Sequence, residues 1–378
     1  MIKTAIKFMM YEKSKSVGIL IAIFIAIFLI GQQLSTLGFL KSLMSSTVDH
    51  SDPENADIWV VTDQTESANS LKSIKLSLVN QLKSVDGVQE TYPVIVSSAM
   101  LKFSNGQFAN VQLIGSEPPA MIMGPSPELI EEGERSAILN PLSFTCEIND
   151  EKNYHHPVEL GMEIELNGKR CNVVALTRNL RGYGSAMLYS TIDNVREVSG
   201  LSSDEINAVV VKVENKEEVE EVCRSINKKF RGITAWPRQK IAKSTIDVTL
   251  KQTSMGASFA SLVAFAVISG FFIIGLTLYT STFDRVKDYG TLKAIGATNN
   301  YISRLVLTQA ALYGLCGYVL AVAILFVMKF SVAKAGLIMI ITPQLLISLL
   351  LMTLFISVGG SLFAVRKLSK LEPASVFK

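Results

Sequence analysis

No G-x-x-x-x-G-K-[ST] run occurs anywhere in the 378 residues, so this chain has no P-loop with which to cradle nucleotide phosphates. Histidine is nearly absent as well, with three in all. His50, His155 and His156 have no cysteine or carboxylate at ligand spacing on a defined face, which favours solvated loop side chains over a metal site. Ser185, in Gly182-Tyr183-Gly184-Ser185, lacks the G-x-S-x-G elbow, and no nucleophile stands beside a partner base. A membrane-anchored enzyme therefore finds no catalytic constellation here. The four cysteines decide little. Cys146, Cys171 and Cys223 fall in a polar middle region and Cys316 in an apolar run. A Cys146–Cys171 disulfide stays open if that region meets an oxidising compartment, because spacing alone does not establish it.

Charge is missing from four long stretches, residues 18–40, 252–283, 305–328 and 335–365. Each can supply the roughly 20 apolar residues that cross a bilayer as a helix. Pro343 divides the last stretch, so its span is placed after the proline. The predicted spans are 17–43, 251–283, 305–328 and 343–365. The first, preceded by basic residues, has the look of a secretory signal. It is too long for one, and no A-x-A-like site follows near 45–49, so it reads as an uncleaved anchor.

The net charge of +3 conceals an asymmetry. Residues 49–250 carry 20 Lys+Arg against 29 Asp+Glu, and the remainder carries 16 against 4. Lys3, Lys7, Lys13 and Lys15 precede the first span; Arg285, Lys287, Lys293 and Arg304 lie between the second and third; Arg366, Lys367, Lys370 and Lys378 follow the fourth. With an even number of spans, all three clusters share one face, which the positive-inside rule makes cytoplasmic. Both termini are then cytoplasmic, and residues 44–250 lie on the other side. These basic groups meet lipid head groups, and no nucleic acid is expected. Residues 1–16 place Ile2, Ile6, Met9 and Met10 on one helical face, which suits a short interfacial helix, the alternative being a basic tail that only orients the first span.

The polar middle reads as an α+β domain of two lobes. Residues 56–62 form a strand, 70–84 a helix with Leu71, Ile74, Leu78 and Leu82 on one side, 88–99 a strand, and 100–115 a hairpin around Ser104-Asn105-Gly106. A similar order returns at the far end: strand 206–213, helix 216–230 with Val219, Val222 and Ile226 inward, and strand 232–236. The acidic run Glu217, Glu218, Glu220 and Glu221 suits a helix start. These two units, 50–117 and 201–240, bracket a β-rich lobe at 118–200 with a hairpin around Asn167-Gly168. Residues 236–254 read either as a helical stalk leading to the second span or as a plain linker. Gly314, Gly317 and Ala321 permit close helix contact, either between copies or as ordinary membrane filling.

The most specific stretch is the polar link 283–298, FDRVKDYGTLKAIGAT, within a predicted loop 284–304. Asp284, Arg285, Lys287 and Asp288 read as a charged turn, Gly290 and Gly296 as punctuation, and Thr291, Leu292, Lys293, Ala294 and Ile295 as one short turn. That turn is expected to expose Leu292 and Ile295 as an apolar tip, with Ala297 closing the segment.

This wording resembles the R-x-K/R-E/D-x-G-x-L-K-A-I-G-A-like stretch of ABC transporter permeases related to the macrolide exporter, the lipoprotein-release permeases and FtsX. Asp288 stands where that family usually has Glu. The tail 366–378, with Leu371, Glu372, Pro373 and Ala374, resembles the family's closing L-x-P-A-like segment. The resemblance implies a MacB-like, type VII membrane α-helical fold in a bacterial inner membrane, with four transmembrane helices and a large extracytoplasmic domain, residues 44–250, in the periplasm. It also implies a separate ABC ATPase partner that binds ATP and Mg, so no cofactor is held in this chain. Asp284, Arg285, Lys287, Asp288 and the residues from Gly290 to Ala297 would contact that ATPase, with Leu371, Glu372, Pro373 and Ala374 as a possible second contact. A second copy of the chain is implied, and the wording most resembles DevC-type exporters, which work with a periplasmic adaptor and an outer-membrane channel. The expected activity is export or extraction of an amphiphile; an FtsX-like transmitter controlling a cell-wall hydrolase is the alternative.

Overall fold

The computed structural model describes residues 1–11, 13–154, 156–284, 286–333 and 338–369. It divides into two compact units, residues 1–39 with 254–378, and residues 40–253. Arg285, Leu371, Glu372, Pro373 and Ala374 lie outside the described residues.

The first unit is helical. Among the described residues four helices are long and apolar enough to cross a membrane: Lys13–Met44, Met255–Ser281 within the helix Met255–Asp284, Asn299–Ala333, and Pro343–Leu362 within the helix Pro343–Ser369. They are called here the first to fourth spans, and the chain is a multi-pass membrane protein. Pro343 opens the fourth helix, where its missing N–H costs nothing, and the Thr342 hydroxyl accepts from the Leu345 amide at 3.2 Å. Small residues let the spans close on one another. A Cβ on Gly270 of the second span would stand 3.1 Å from Ala26 of the first, and one on Gly314 of the third 2.7 Å from Ser357 Oγ of the fourth. Gly317 faces Ile23, and Ala321 is buried in the same bundle. The small residues considered for contact between copies are thus occupied by packing within one chain.

The second unit is built on strands β1 (Ile58–Thr62), β2 (Ile74–Lys75), β3 (Val88–Lys102), β4 (Phe108–Ser116), β5 (Ile130–Gly133), β6 (Ser143–Glu147), β7 (Glu163–Leu166), β8 (Lys169–Thr177), β9 (Ala186–Thr191), β10 (Glu205–Ile206), β11 (Ala208–Val213) and β12 (Ile233–Pro237). Ten of them form one ladder with the path β12-β1-β11-β3-β7-β8-β5. Alternation sends successive side chains to opposite faces. Ile58, Val60, Val209 and Val211 join one core, while Trp59, Val61, Ala208 and Val210 join the other. Helix Val219–Lys229 covers the first face through Val222, Cys223 and Ile226, and Ile241 of helix Arg238–Gln252 packs on the second.

The ladder also turns back on itself. From β3 it runs one way through β4 to β9 and the other way through β7 and β8 to β6. β6 meets β9 through side chains, Ser190 Oγ donating to Ser143 O at 2.5 Å and the Tyr189 amide to Thr145 Oγ1 at 3.0 Å. The expected β-rich lobe therefore shares strands β3 and β4 with the lobe that was expected to flank it, and one core holds residues of both.

Local expectations fare unevenly. The hairpins at Gly106 and at Asn167-Gly168 form, with positive φ at all three residues. The helix expected over 70–84 shrinks to Leu78–Leu82, because Ile74 is drawn into β2 opposite Ile206. Cys146 lies opposite Leu176 of β8, and Cys171 is five residues further back on β8, roughly 16 Å along a strand. That exceeds the reach of a disulfide, and both are free, buried thiols. Burial pushes Cys146 up to about 12 and Cys171 to about 11. His50 is not a solvated loop residue: half-buried, it ends the short helix Ser46–Asp49, its ring 3.5 Å from the Tyr189 hydroxyl. His156 stacks on Phe103 with ring centroids 4.7 Å apart.

Candidate functional site

The link between the second and third spans holds the residues singled out in the sequence. Val286–Ala294 is a helix, where the pattern predicts a charged turn followed by one short turn. Gly290 lies inside that helix and is buried. Among the described residues of the link, only Gly296 has a positive φ, +101°, with open space around its Cα. Backbone conformation, and not crowding, is what asks for glycine there. The Gly296 amide donates to Lys293 O at 3.0 Å and the Ala297 amide to Leu292 O at 2.9 Å. This pair of bonds is the Schellman ending, and it satisfies carbonyls that the helix leaves open. Thr298 then caps the third span, its hydroxyl accepting from the Tyr301 amide at 3.3 Å.

One face of the linking helix is turned inward. Tyr289, 2% exposed, shares a buried cluster with Ala5, Ile302, Leu305 and Val306. Phe8 of the amino-terminal helix Ile2–Tyr11 lies against it, ring centroids 5.7 Å apart. Leu292, three residues on, shares the Tyr289 face and packs on the same cluster, as does Ala297. The expected two-residue apolar tip is therefore reduced to Ile295, which is 77% exposed. Around it Lys287, Asp288, Thr291, Ala294 and Gly296 are exposed, while Lys293 is half-buried. The Thr291 hydroxyl is turned back to Lys287 O at 2.9 Å. Asp284, assigned to the same surface from sequence, is instead paired with Lys15, Nζ to Oδ2 2.5 Å.

A single large apolar side chain, raised on a capped helix and ringed by polar groups, suits a shallow groove on another protein. Residues 260–373, which contain the whole segment, match the family described as FtsX-like permease C-terminal. This region is an FtsX-like permease domain. The chain is also 24% identical over 244 residues to an uncharacterized ABC transporter permease of Methanocaldococcus jannaschii, over 60% of this chain and 59% of that protein. It thus spans less than two thirds of the curated relative it matches. Two solved structures are similar. The periplasmic region of MacB from Actinobacillus actinomycetemcomitans has 15% identity and a TM-score of 0.38, covering 53% of this chain and 95% of its own. The extracellular domain of the ABC-type transporter YknZ from Gram-positive bacteria has 16% identity and a TM-score of 0.36, covering 48% and 99%.

Within the FtsX-like domain, sequence reasoning found the link and the glycine that ends it but missed the side chains that hold it. Tyr289 carried a signal, its i,i+3 spacing to Leu292 on a helical face. Ala5 and Phe8 carried a similar one in the amino-terminal helix, whose face Ile2, Ile6 and Met10 remains exposed as an interfacial helix requires. Nothing local announced Lys15, since its partner is 269 residues away.

Proposed function

We propose that this chain is the non-catalytic permease subunit of an ATP-driven transporter, and that an ABC ATPase in a separate chain docks on the link between the second and third spans. The observation that carries this reading is Ile295, 77% exposed on a rigidly capped helix inside the FtsX-like domain. An isolated surface isoleucine needs no explanation by itself. One held outward by a Schellman ending, while its neighbours Leu292 and Tyr289 pack inward, has the form of a docking anchor. ATP-driven closure of the partner would push on that anchor and move the attached spans. The acidic sheet-rich unit, on the opposite side of the bilayer by the positive-inside rule, would then work on cargo.

The cargo we assign is an amphiphile. An apolar cavity of about 500 Å³ opens between the first and second spans, lined by residues such as Ile21, Ile25, Leu29, Leu262 and Phe265. Its walls suit an acyl chain or the helix of a second copy. Both termini are proposed to be cytoplasmic, and an adaptor and outer channel remain part of the export reading.

The test is Ile295→Asp in the full-length chain, purified with the ATPase that co-purifies with it. Stimulated ATP hydrolysis is expected to fall roughly tenfold or more, the loss expected of a buried anchor, with membrane insertion unchanged. Undiminished stimulation would refute the docking role.

A further inference from the structure

Asp284 is the last residue of the second-span helix Met255–Asp284, the end at which the helix dipole disfavours a carboxylate. A charge placed against local preference calls for a compensating partner. Lys15 provides it at 2.5 Å, from the start of the first span. The surroundings make this contact part of a larger clamp. Immediately after Lys15, Ser16 is fixed twice, donating to Met9 O at 2.6 Å and meeting the Tyr313 hydroxyl of the third span at 2.6 Å. In the amino-terminal helix, Phe8 packs on Tyr289 of the linking helix. The base of the first span is therefore tied to the second and to the third, and the amino-terminal helix to the link.

We propose that Lys15 is a positioning residue for transport: through Asp284 it locks the base of the first span to the end of the second-span helix, two residues before the linking helix begins, so that a push received at Ile295 moves the first and second spans together. The inference rests on the docking reading for its consequence, but the lock itself is a property of this chain alone. Each side chain of the pair is roughly half-exposed, and such pairs contribute little to stability. Its role is direction of motion, since a second span freed from the first would take up the push without it.

Three variants test it: Lys15→Glu, Asp284→Lys and the double exchange K15E/D284K, each in the full chain in lipid nanodiscs. The first readout is amide hydrogen exchange over residues 286–297, which needs no ATPase. Either single reversal is expected to speed exchange about two- to fivefold, and the double exchange to restore it. If Asp284 mattered only to its own helix, Asp284→Lys alone would be neutral or protective, because it removes the dipole conflict; that result overturns the proposal, as does equal damage in all three. The second readout is stimulated ATP hydrolysis, expected to fall about fivefold in each single variant and recover in the double. Restored exchange without restored hydrolysis would overturn the assigned role in transport while leaving the contact. Failure of the unaltered chain to stimulate its ATPase would sink the docking reading instead, and that outcome is separate from the exchange result.

Discussion

Gly317 of the third span and Ile23 of the first approach so closely that a Cβ on the glycine would lie 2.5 Å from Ile23 Cγ2 and 2.9 Å from its Cβ. Ile23 branches at Cβ and has little rotamer freedom in a helix, so it has no easy way to yield. The methyl group of Gly317→Ala should separate the two helices and cost about 1–3 kcal/mol, the usual range for overpacking. Ile23→Ala in the same chain should relieve the crowding, leaving the double variant more stable than Gly317→Ala alone. Thermal unfolding of the full chain in detergent reads both changes. Simple additivity of the two losses would show that the helices do not meet at this point.

Among the ion pairs of the described residues, Arg181 and Asp150 make a deeply buried one, with side chains 17% and 3% exposed. Two guanidinium nitrogens converge on one oxygen, Nε at 2.8 Å and a terminal nitrogen at 2.7 Å from Oδ1. A carboxylate left in that position without its cation is far costlier than the intact pair is favourable. Arg181→Met is expected to destabilise the chain by about 3 kcal/mol. Adding Asp150→Asn should recover much of that loss, because the uncompensated charge disappears. A double-mutant cycle on unfolding midpoints measures the coupling, and a cycle that closes near zero would mean the pair is already solvated.

The part of the fold written in local periodicity could be read from the sequence. Ile58 to Val61 alternates between two cores because both faces of its strand are covered, and a run of four β-formers announces that much. Asn167-Gly168 announces a hairpin through its turn chemistry alone. What depends on distant partners was not legible. Ile74 fits the helical face of Leu71, Leu78 and Leu82, yet it pairs with Ile206 in a strand, a competition decided 132 residues away. Ser143 and Ser190 close the barrel-like ring through side-chain and carbonyl contacts that have no period. At the candidate site the same limit separates Leu292 from Ile295: both are apolar and neighbouring, and only the position of Ala5 and Tyr289 decides which turns inward.

His50 gives the sheet-rich unit a pH dependence of calculable sign. Burial is the main influence and lowers its pKa from 6.5; Asp49 works against the shift and Arg238 adds to it. Arg238 is fixed beside it, donating to Asp49 O at 2.8 Å and Ser51 O at 2.9 Å. Asp52, Glu128 and Arg135 line the same cavity of about 380 Å³. A histidine whose folded pKa is depressed favours the folded state while neutral. That contribution is present above the unfolded value of 6.5 and is lost as pH falls through the lower folded value. Protonation would set an imidazolium against the Arg238 guanidinium and strain the contacts that hold the two carbonyls. The unfolding midpoint of the full chain is therefore expected to drop as pH falls below 6.5, and to drop less in His50→Gln, which keeps a polar side chain without the titration. Carboxylates elsewhere also titrate in acid, so the informative quantity is the difference between the two profiles. Parallel profiles across that range would exclude His50 as the group responsible.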